Sequence, residues 1–334
     1  MIASGPWTRG STPKHGRVER QGWKVNAGGT GMTDHNWLTD EILALKEERD
    51  ATIVAHNYQV AEVQEIADVV GDSLELARAA VSMDCSALVF CGVDFMAETA
   101  AILSPDKPVI LPAPDACCPM AEMVTAGEIA LAREKYPDAA VVSYVNTTAE
   151  VKAVSDICCT SANAVRVVES LPHGQILFVP DRNLARYVAR FTPKEIMPWD
   201  GYCIVHDQFT AGDVERERSL HPGAEVLVHP ECRPEVIDLA DHVLSTSGII
   251  RHCCESGRDE FIIGTETGIL HQTRKRCPHT RCFPLSPAAV CVNMKKTTLE
   301  KVHAALKRME PRIMVPPRIA GPARRAIERM LDLP

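Results

Sequence analysis

From residue 39 onward, short apolar runs alternate with segments of helical period. The runs at 52–55, 86–90, 109–111, 139–145, 175–179, 225–228 and 261–264 are rich in Val, Ile, Leu and Ala and are predicted strands. Helical spacing predicts helices over 39–50, 61–70, 74–80, 96–103 and 126–135, then a helix through Ala153. Further helices are predicted over 164–170, 184–190, 211–219, 231–239, 299–308 and 323–333. Thr265–Thr273, carrying His271, leads to a basic loop at 274–281, and a Pro-rich linker is predicted from Pro311 to Pro322. Residues 1–33 break the pattern: Gly, Ser, Thr and basic residues without an apolar period predict a disordered N-terminal extension, with Met32 an alternative start. Strands alternating with helices predict short parallel sheets covered on both faces.

A second order lies over the first. The run ending at His56 recurs 88 residues later, ending at Tyr144, and 85 further on, ending at His229. Hydroxyl residues keep the step at Ser73, Ser161 and Ser245, and cysteines keep it at Cys118, Cys203 and Cys291. A fixed period of this length marks repeated supersecondary units. The predicted fold is therefore α/β, with three pseudo-threefold-related sandwiches at 34–120, 121–207 and 208–334, the last including a C-terminal helix. Ligands of open α/β sheets lie beyond the C-terminal strand ends. Three such ends facing one axis would gather these polar residues and cysteines around one centre.

Composition narrows the function. The chain has 334 residues and a net charge of −8, which argues against a general nucleic-acid surface. No apolar run reaches membrane-spanning length and no signal-peptide order opens the chain, so a cytoplasmic protein is expected. Thirteen cysteines in a reducing compartment argue for free thiols, metal or redox use rather than a disulfide frame. There is no Gly-rich nucleotide loop.

Cys118, Cys203 and Cys291 have no local CxxC partners, unlike paired structural zinc ligands. Three thiolates from three units suit an iron–sulfur cluster with one iron left open; three unrelated buried cysteines are the plainer alternative. His56 alone would read as a core histidine, but its register with Tyr144 and His229 moves it toward ligand binding. Tyr58, Tyr144 and Asn146 offer neutral hydrogen bonds to carboxylates and carbonyls. His229 and Glu231 suit acid–base work, while Glu231 could instead cap the following helix. Ser73, Ser161, Ser245 and Thr246 each precede a predicted helix, as plain caps or as anion-binding positions.

With these residues in place, the chain from about Asp40 to Leu331 resembles the quinolinate synthase family, iron–sulfur enzymes of NAD biosynthesis. The motifs are AHNYQ (55–59), GDS (71–73), FCGVDFMAETA (90–100), SYVNTTAEVKA (143–153), TSANA (160–164), GYCIVH (201–206), HPEC (229–232), STSGII (245–250), GTETGILH (264–271) and CVNMKKTTLEK (291–301). The resemblance implies a [4Fe–4S] cluster on Cys118, Cys203 and Cys291, with Cys117 the fallback for Cys118. It implies condensation of iminoaspartate with dihydroxyacetone phosphate to quinolinate, losing phosphate and two waters, with L-aspartate oxidase as functional partner. His56, Ser73, Tyr144, Asn146, Ser161, His206, His229, Glu231, Ser245 and Thr246 would hold substrate, and Glu231, His229 and Tyr58 would act in catalysis. Asn57 stands where an aromatic residue is more usual. Cys277 and Cys282, with four residues between them, suggest a redox pair or two surface thiols. The rivals are another open-iron hydro-lyase and a non-enzymatic iron–sulfur or zinc sensor.

Overall fold

The computed structural model describes residues 34–333; the N-terminal segment 1–33, expected to be disordered, lies outside the described residues. Three four-stranded sheets follow one another along the chain, and all their strands pair in parallel. The first holds β1 (Ala51–His56), β2 (Val69–Gly71), β3 (Ala87–Cys91) and β4 (Val109–Ile110). The second holds β5 (Ala140–Tyr144), β6 (Ile157–Cys159), β7 (Gln175–Val179) and β8 (Glu195–Pro198), and the third β9 (Glu225–Val228), β10 (His242–Val243), β11 (Glu260–Gly264) and β12 (Arg281–Pro284). Their orders, β2-β1-β3-β4, β6-β5-β7-β8 and β10-β9-β11-β12, are one topology used three times.

Helices cover both faces, as fully buried parallel sheets require. In the first unit these are α1 (Asp34–Glu48), α2 (Ala61–Ile66), α3 (Ser73–Ser82) and α4 (Asp94–Leu103), and in the second α5 (Ala126–Lys135), α6 (Ala149–Ala153), α7 (Ala164–Ser170) and α8 (Arg182–Val188). The third region carries α9 (Ala211–Leu220), α10 (Pro234–Ile237), α11 (Thr246–Glu255) and α12 (Ile269–Arg276), followed by α13 (Leu299–Arg308) and α14 (Pro317–Leu331). The last two helices return to earlier sheets. α13 buries Leu299, Val302, Ala305 and Leu306 against Ile53, Ala55 and Val89 of the first sheet. α14 packs on α6 and β6, burying Ala323, Ala326, Ile327 and Met330.

The central strands run as the pattern predicts, and the differences concern edges and caps. The helix expected over 61–70 stops at Ile66; Val69–Gly71 instead pairs with Val54–His56 as an edge strand. β6, β8, β10 and β12 are likewise edge strands of two to four residues that the pattern did not single out. Such strands are short, and all but the buried β6 are partly exposed, so their alternation is weak. The helix expected over 231–239 shrinks to Pro234–Ile237 because Pro234 starts it and residues 231–233 form the strand-end loop. The basic loop expected at 274–281 is the last turn of α12, a turn over 277–280 and the first residue of β12. The Pro-rich linker expected at 311–322 is ordered: Leu111 N–H donates to Pro311 O at 3.1 Å, and α14 already begins at Pro317. Proline suits the first helical position, and the buried stripe behind Pro322 holds the helix through it.

Candidate active site

Each unit delivers the same three kinds of residue from the same three places. The first-in-sequence strand ends in a polar residue: His56 on β1, Tyr144 on β5, and His229 just beyond β9. The turn after the second strand supplies hydroxyls: Ser73 after β2, Ser161 after β6, Ser245 and Thr246 after β10. The loop after the fourth strand supplies a cysteine that precedes a 3-10 turn: Cys118, Cys203 and Cys291. Each of these cysteines stands seven residues before a threonine that caps the next long helix: Thr125, Thr210 and Thr298. That register singles out Cys118 rather than Cys117.

One cavity collects them. Its lining includes His56, Tyr58, Ser73, Cys118, Tyr144, Asn146, Ser161, Cys203, His206, His229, Glu231, Thr246 and Cys291. Of the residues expected to hold substrate, act in catalysis or bind the cluster, Ser245 alone does not line it: its hydroxyl accepts from Gly248 N–H as the α11 cap and contacts Asp72 Oδ2 at 3.4 Å. Asp72, not Ser73, caps α3, which leaves the Ser73 hydroxyl to the cavity. Glu231 does not cap α10, whose N-cap is Arg233 with no side-chain bond.

The geometry centres on Glu231. Its Oε2 lies 2.7 Å from His206 Nδ1 and 3.5 Å from His229 Nδ1, and its buried Oε1 has no protein partner. Burial pushes the Glu231 carboxyl up, but His206 and His229 outweigh it and hold the group well below the usual carboxylate range. His206 and His229 stack with ring centroids 4.7 Å apart. His229 Nε2 meets Ser161 Oγ at 3.0 Å, and burial lowers the imidazole's pKa. His56 Nδ1 accepts from Tyr58 N–H at 3.1 Å, so the ring's proton resides on Nε2. Burial, then the neighbouring His229 and Lys295, push the His56 pKa down to about 3, and the ring is neutral. Tyr58 and Tyr144 are held well above the ordinary phenol value, first by burial and then by Glu231. The buried Asn146 Oδ1 is unpartnered, a polar atom left for a ligand.

Three thiols, an imidazole and a carboxylate therefore border one space. Cys203 Sγ lies 3.2 Å from His206 Nδ1, and Cys203, His206 and Glu231 present ligand atoms within 4.8 Å of one another. Burial raises all three thiols, Cys118 to about 12. A bound metal deprotonates such thiols outright. The donor set fits an iron–sulfur cluster, which takes cysteine thiolates.

The sequence pattern passed over several residues in or behind the cavity wall. Thr265, just beyond β11, stands behind two lining residues: its hydroxyl lies 2.6 Å from Tyr58 OH and 2.8 Å from His206 Nε2. Glu266 is fully buried; its Oε1 accepts from Cys291 N–H at 3.1 Å and from Lys295 Nζ at 2.8 Å. Both follow a strand end, which was the available signal. Val93, Phe95, Met96 and Met294 complete an apolar wall. The cysteines of the basic segment are not a pair with each other: Cys277 is disulfide-bonded to Cys254, and Cys282 Sγ lies 3.9 Å from Cys253 Sγ.

Comparison with known proteins finds relatives over most of the chain. The family model described as quinolinate synthetase A protein matches residues 40–332. Quinolinate synthase of Methanoregula boonei is 66% identical over 302 residues, covering 90% of this chain and 100% of its own length. The enzyme of that name from Thermodesulfovibrio yellowstonii is 54% identical, covering 89% of this chain and 99% of its own. That from Pyrococcus horikoshii is 51% identical over the same shares.

Proposed function

The chain belongs to the quinolinate synthase family, and from that premise we propose that it condenses iminoaspartate with dihydroxyacetone phosphate. The products are quinolinate, phosphate and two waters, as the atoms of the two substrates require. An iron–sulfur cluster is implied by the family, and we assign it as [4Fe–4S] held by Cys118, Cys203 and Cys291. When bound, such a cluster supplies an iron free of cysteine, a Lewis acid for a carboxylate or hydroxyl.

The chain's own residues divide the remaining work. His56 Nε2–H, the Ser73 and Ser161 hydroxyls, Tyr144 and Asn146 present neutral donors and acceptors suited to the carboxylates and the imine of iminoaspartate. His206 and Thr246 add further donors beside them, and Ser245 orders the turn that carries Thr246. Glu231, ionised and with Oε1 unpaired, accepts a proton as the new carbon–carbon bond or ring is made. His229 returns protons to departing hydroxyls. Tyr58, kept protonated, assists enolisation and dehydration as a donor.

The observation that carries this reading is the meeting of three period-related cysteines with three period-related strand ends in one cavity. The division into units near residues 34–120, 121–207 and 208–334 belongs to the same proposal, supported by the shared strand order. We further propose a cytoplasmic setting and an L-aspartate oxidase as the source of the unstable imine. Among the described residues no helix is long and apolar enough to cross a membrane.

The test is an anaerobic preparation assayed for quinolinate from both substrates, with iron and sulfide measured in wild type and in C118S, C203S and C291S. About four irons and four sulfides per chain, lost together with quinolinate formation in each variant, are expected. Turnover without dihydroxyacetone phosphate would instead indicate a different hydro-lyase. A second reading, a mononuclear metal on Cys203, His206 and Glu231, is favoured by the closeness of those atoms. One metal per chain, retained in C118S and C291S, would establish it.

A further inference from the structure

A second cluster of ligating side chains lies at the opposite ends of the third sheet's strands, away from the cavity. Glu225 opens β9, His242 opens β10 and His252 stands on α11. Glu225 Oε2 lies 2.9 Å from His252 Nε2 and 3.9 Å from His242 Nε2. All three ligand atoms fall within 4.8 Å of one another. None of these residues lines the catalytic cavity.

We propose that Glu225, His242 and His252 form a binding site for a divalent cation of the zinc class. Two imidazoles and one carboxylate are the donor types that borderline cations select, and three protein ligands leave a position for water. Around a tetrahedral ion with bonds near 2.0–2.1 Å, ligand atoms stand about 3.3 Å apart. The two Glu225–histidine separations bracket that value, and no pair of the three ligand atoms is more than 4.8 Å apart. Glu225 is also suitably oriented for this. Arg258 Nε holds its Oε1 at 3.0 Å, which leaves Oε2 to the histidines.

The two rings are partly fixed as well. His252 packs edge-on against Phe261 with centroids 5.9 Å apart, and its ring lies 4.2 Å from that of His242. The three side chains are about one-fifth, two-fifths and one-fifth exposed, so an ion can enter and keep water. Bound there, it ties the starts of β9 and β10 to α11. By mass action, an ion that binds only the folded chain raises its stability.

The experiment is a titration of the anaerobic, cluster-loaded protein with zinc chloride, followed by calorimetry and by metal analysis after dialysis. Variants H242A, H252A and C282S are compared; the last controls for the nearby Cys253–Cys282 thiols. One zinc per chain beyond the cluster iron is expected in wild type and C282S. Removing a supporting group near a metal typically weakens it 10–100-fold, so loss of either imidazole ligand should cost about 100-fold or more. Zinc should raise the melting temperature of wild type but not of H242A, whose exposed side chain can be removed without disturbing the core. No zinc uptake by wild type, equal uptake in both histidine variants, or loss in C282S alone would each overturn the proposal.

Discussion

Glu231 and Tyr58 are joined by an unbroken chain of side-chain contacts. Glu231 Oε2 lies 2.7 Å from His206 Nδ1, His206 Nε2 lies 2.8 Å from Thr265 Oγ1, and Thr265 Oγ1 lies 2.6 Å from Tyr58 OH. With the His206 proton on Nδ1, that nitrogen donates to the carboxylate, Nε2 accepts from the Thr265 hydroxyl, and the Thr265 oxygen accepts from the Tyr58 hydroxyl. The two residues assigned opposite proton-transfer tasks are thus linked through the His206 ring and the Thr265 hydroxyl. The link passes from the third unit to the loop after β8, back to the third unit at Thr265 and on to the first.

Replacing Glu231 by Gln keeps the shape and removes the carboxylate proposed as the base. General-base contributions are typically 10²–10⁴-fold, so quinolinate formation in E231Q should fall by that order while iron content and circular dichroism stay at wild-type values. Full turnover with an intact cluster would remove Glu231 from the scheme. Because its pKa is held below the usual carboxylate range, no loss of activity between pH 8 and 5 should trace to protonation of Glu231.

Thr265 carries the connection without touching Glu231. Thr265→Val is nearly isosteric and deletes both hydrogen bonds. A fall in kcat of about tenfold, with KM and iron little changed, is expected from freeing one buried proton-transfer partner, since an unmade buried hydrogen bond costs about 1–3 kcal/mol. Combined with Tyr58→Phe, the two effects should be less than additive, because both variants cut the same chain. Strict additivity in this cycle would show that the residues act separately.

His56 gives a pH dependence of stability whose sign is fixed. Its folded pKa of about 3 lies below the free value of 6.5, so between those values the unfolded chain binds a proton that the folded chain excludes. Stability from this group is fully present above pH 6.5 and is lost as pH falls toward 3, by about 1.4 kcal/mol per pH unit. Urea unfolding at pH 7.5, 6 and 5 should show a steeper decline for wild type than for His56→Gln. Parallel declines would mean that His56 is not the group responsible.

Much of this is legible in the sequence. The central strands β1, β3, β5, β7, β9 and β11 are buried on both faces and read as continuous apolar runs. Most of the edge strands were not legible, since two to four residues such as His242–Val243 carry no period. Eight of the thirteen residues named above as lining the cavity are the strand-end, hydroxyl and cysteine residues that keep the step of 84–88 residues; Ser245 follows the step equally well but turns its hydroxyl to its own helix cap. Periodicity locates a backbone position and leaves the rotamer undetermined. Thr265 and Glu266 fall outside the step because they follow β11, the third strand of its unit, whereas the step links the ends of the first strands. The Cys254–Cys277 bond was illegible because it joins α11 to the end of α12, a contact that depends on how the two helices pack.

That disulfide has a measurable consequence. It closes a loop of 23 residues, for which chain-entropy arguments give about 3 kcal/mol of stabilisation. Thiol titration of the denatured, unreduced chain should find two fewer thiols than after reduction. The double variant C254S/C277S should unfold at a lower denaturant concentration while retaining its iron, because neither cysteine lines the cavity. Equal thiol counts before and after reduction would show that the bond does not form.

Glu266 should govern how firmly Cys291 is presented. One carboxylate oxygen accepts from the Cys291 backbone N–H at 3.1 Å and from Lys295 Nζ at 2.8 Å; the other accepts from Gly268 N–H at 2.7 Å. Lys295 Nζ in turn donates to Tyr58 O at 2.5 Å. A single buried carboxylate therefore ties the Cys291 loop, the start of α12 and the Tyr58 turn together. Removing one partner of a buried pair leaves the other charge uncompensated, at a cost of about 3–5 kcal/mol. Glu266→Ala should loosen the loop and lower iron retention on dialysis, and Glu266→Gln, which keeps the backbone contacts but not the charge, should retain more. Lys295→Met should relieve the Ala variant, since it removes the orphaned cation. If Glu266→Ala retains iron as wild type does, the Cys291 loop is held by its own 3-10 turn at Met294–Lys296, and the carboxylate serves Tyr58 alone.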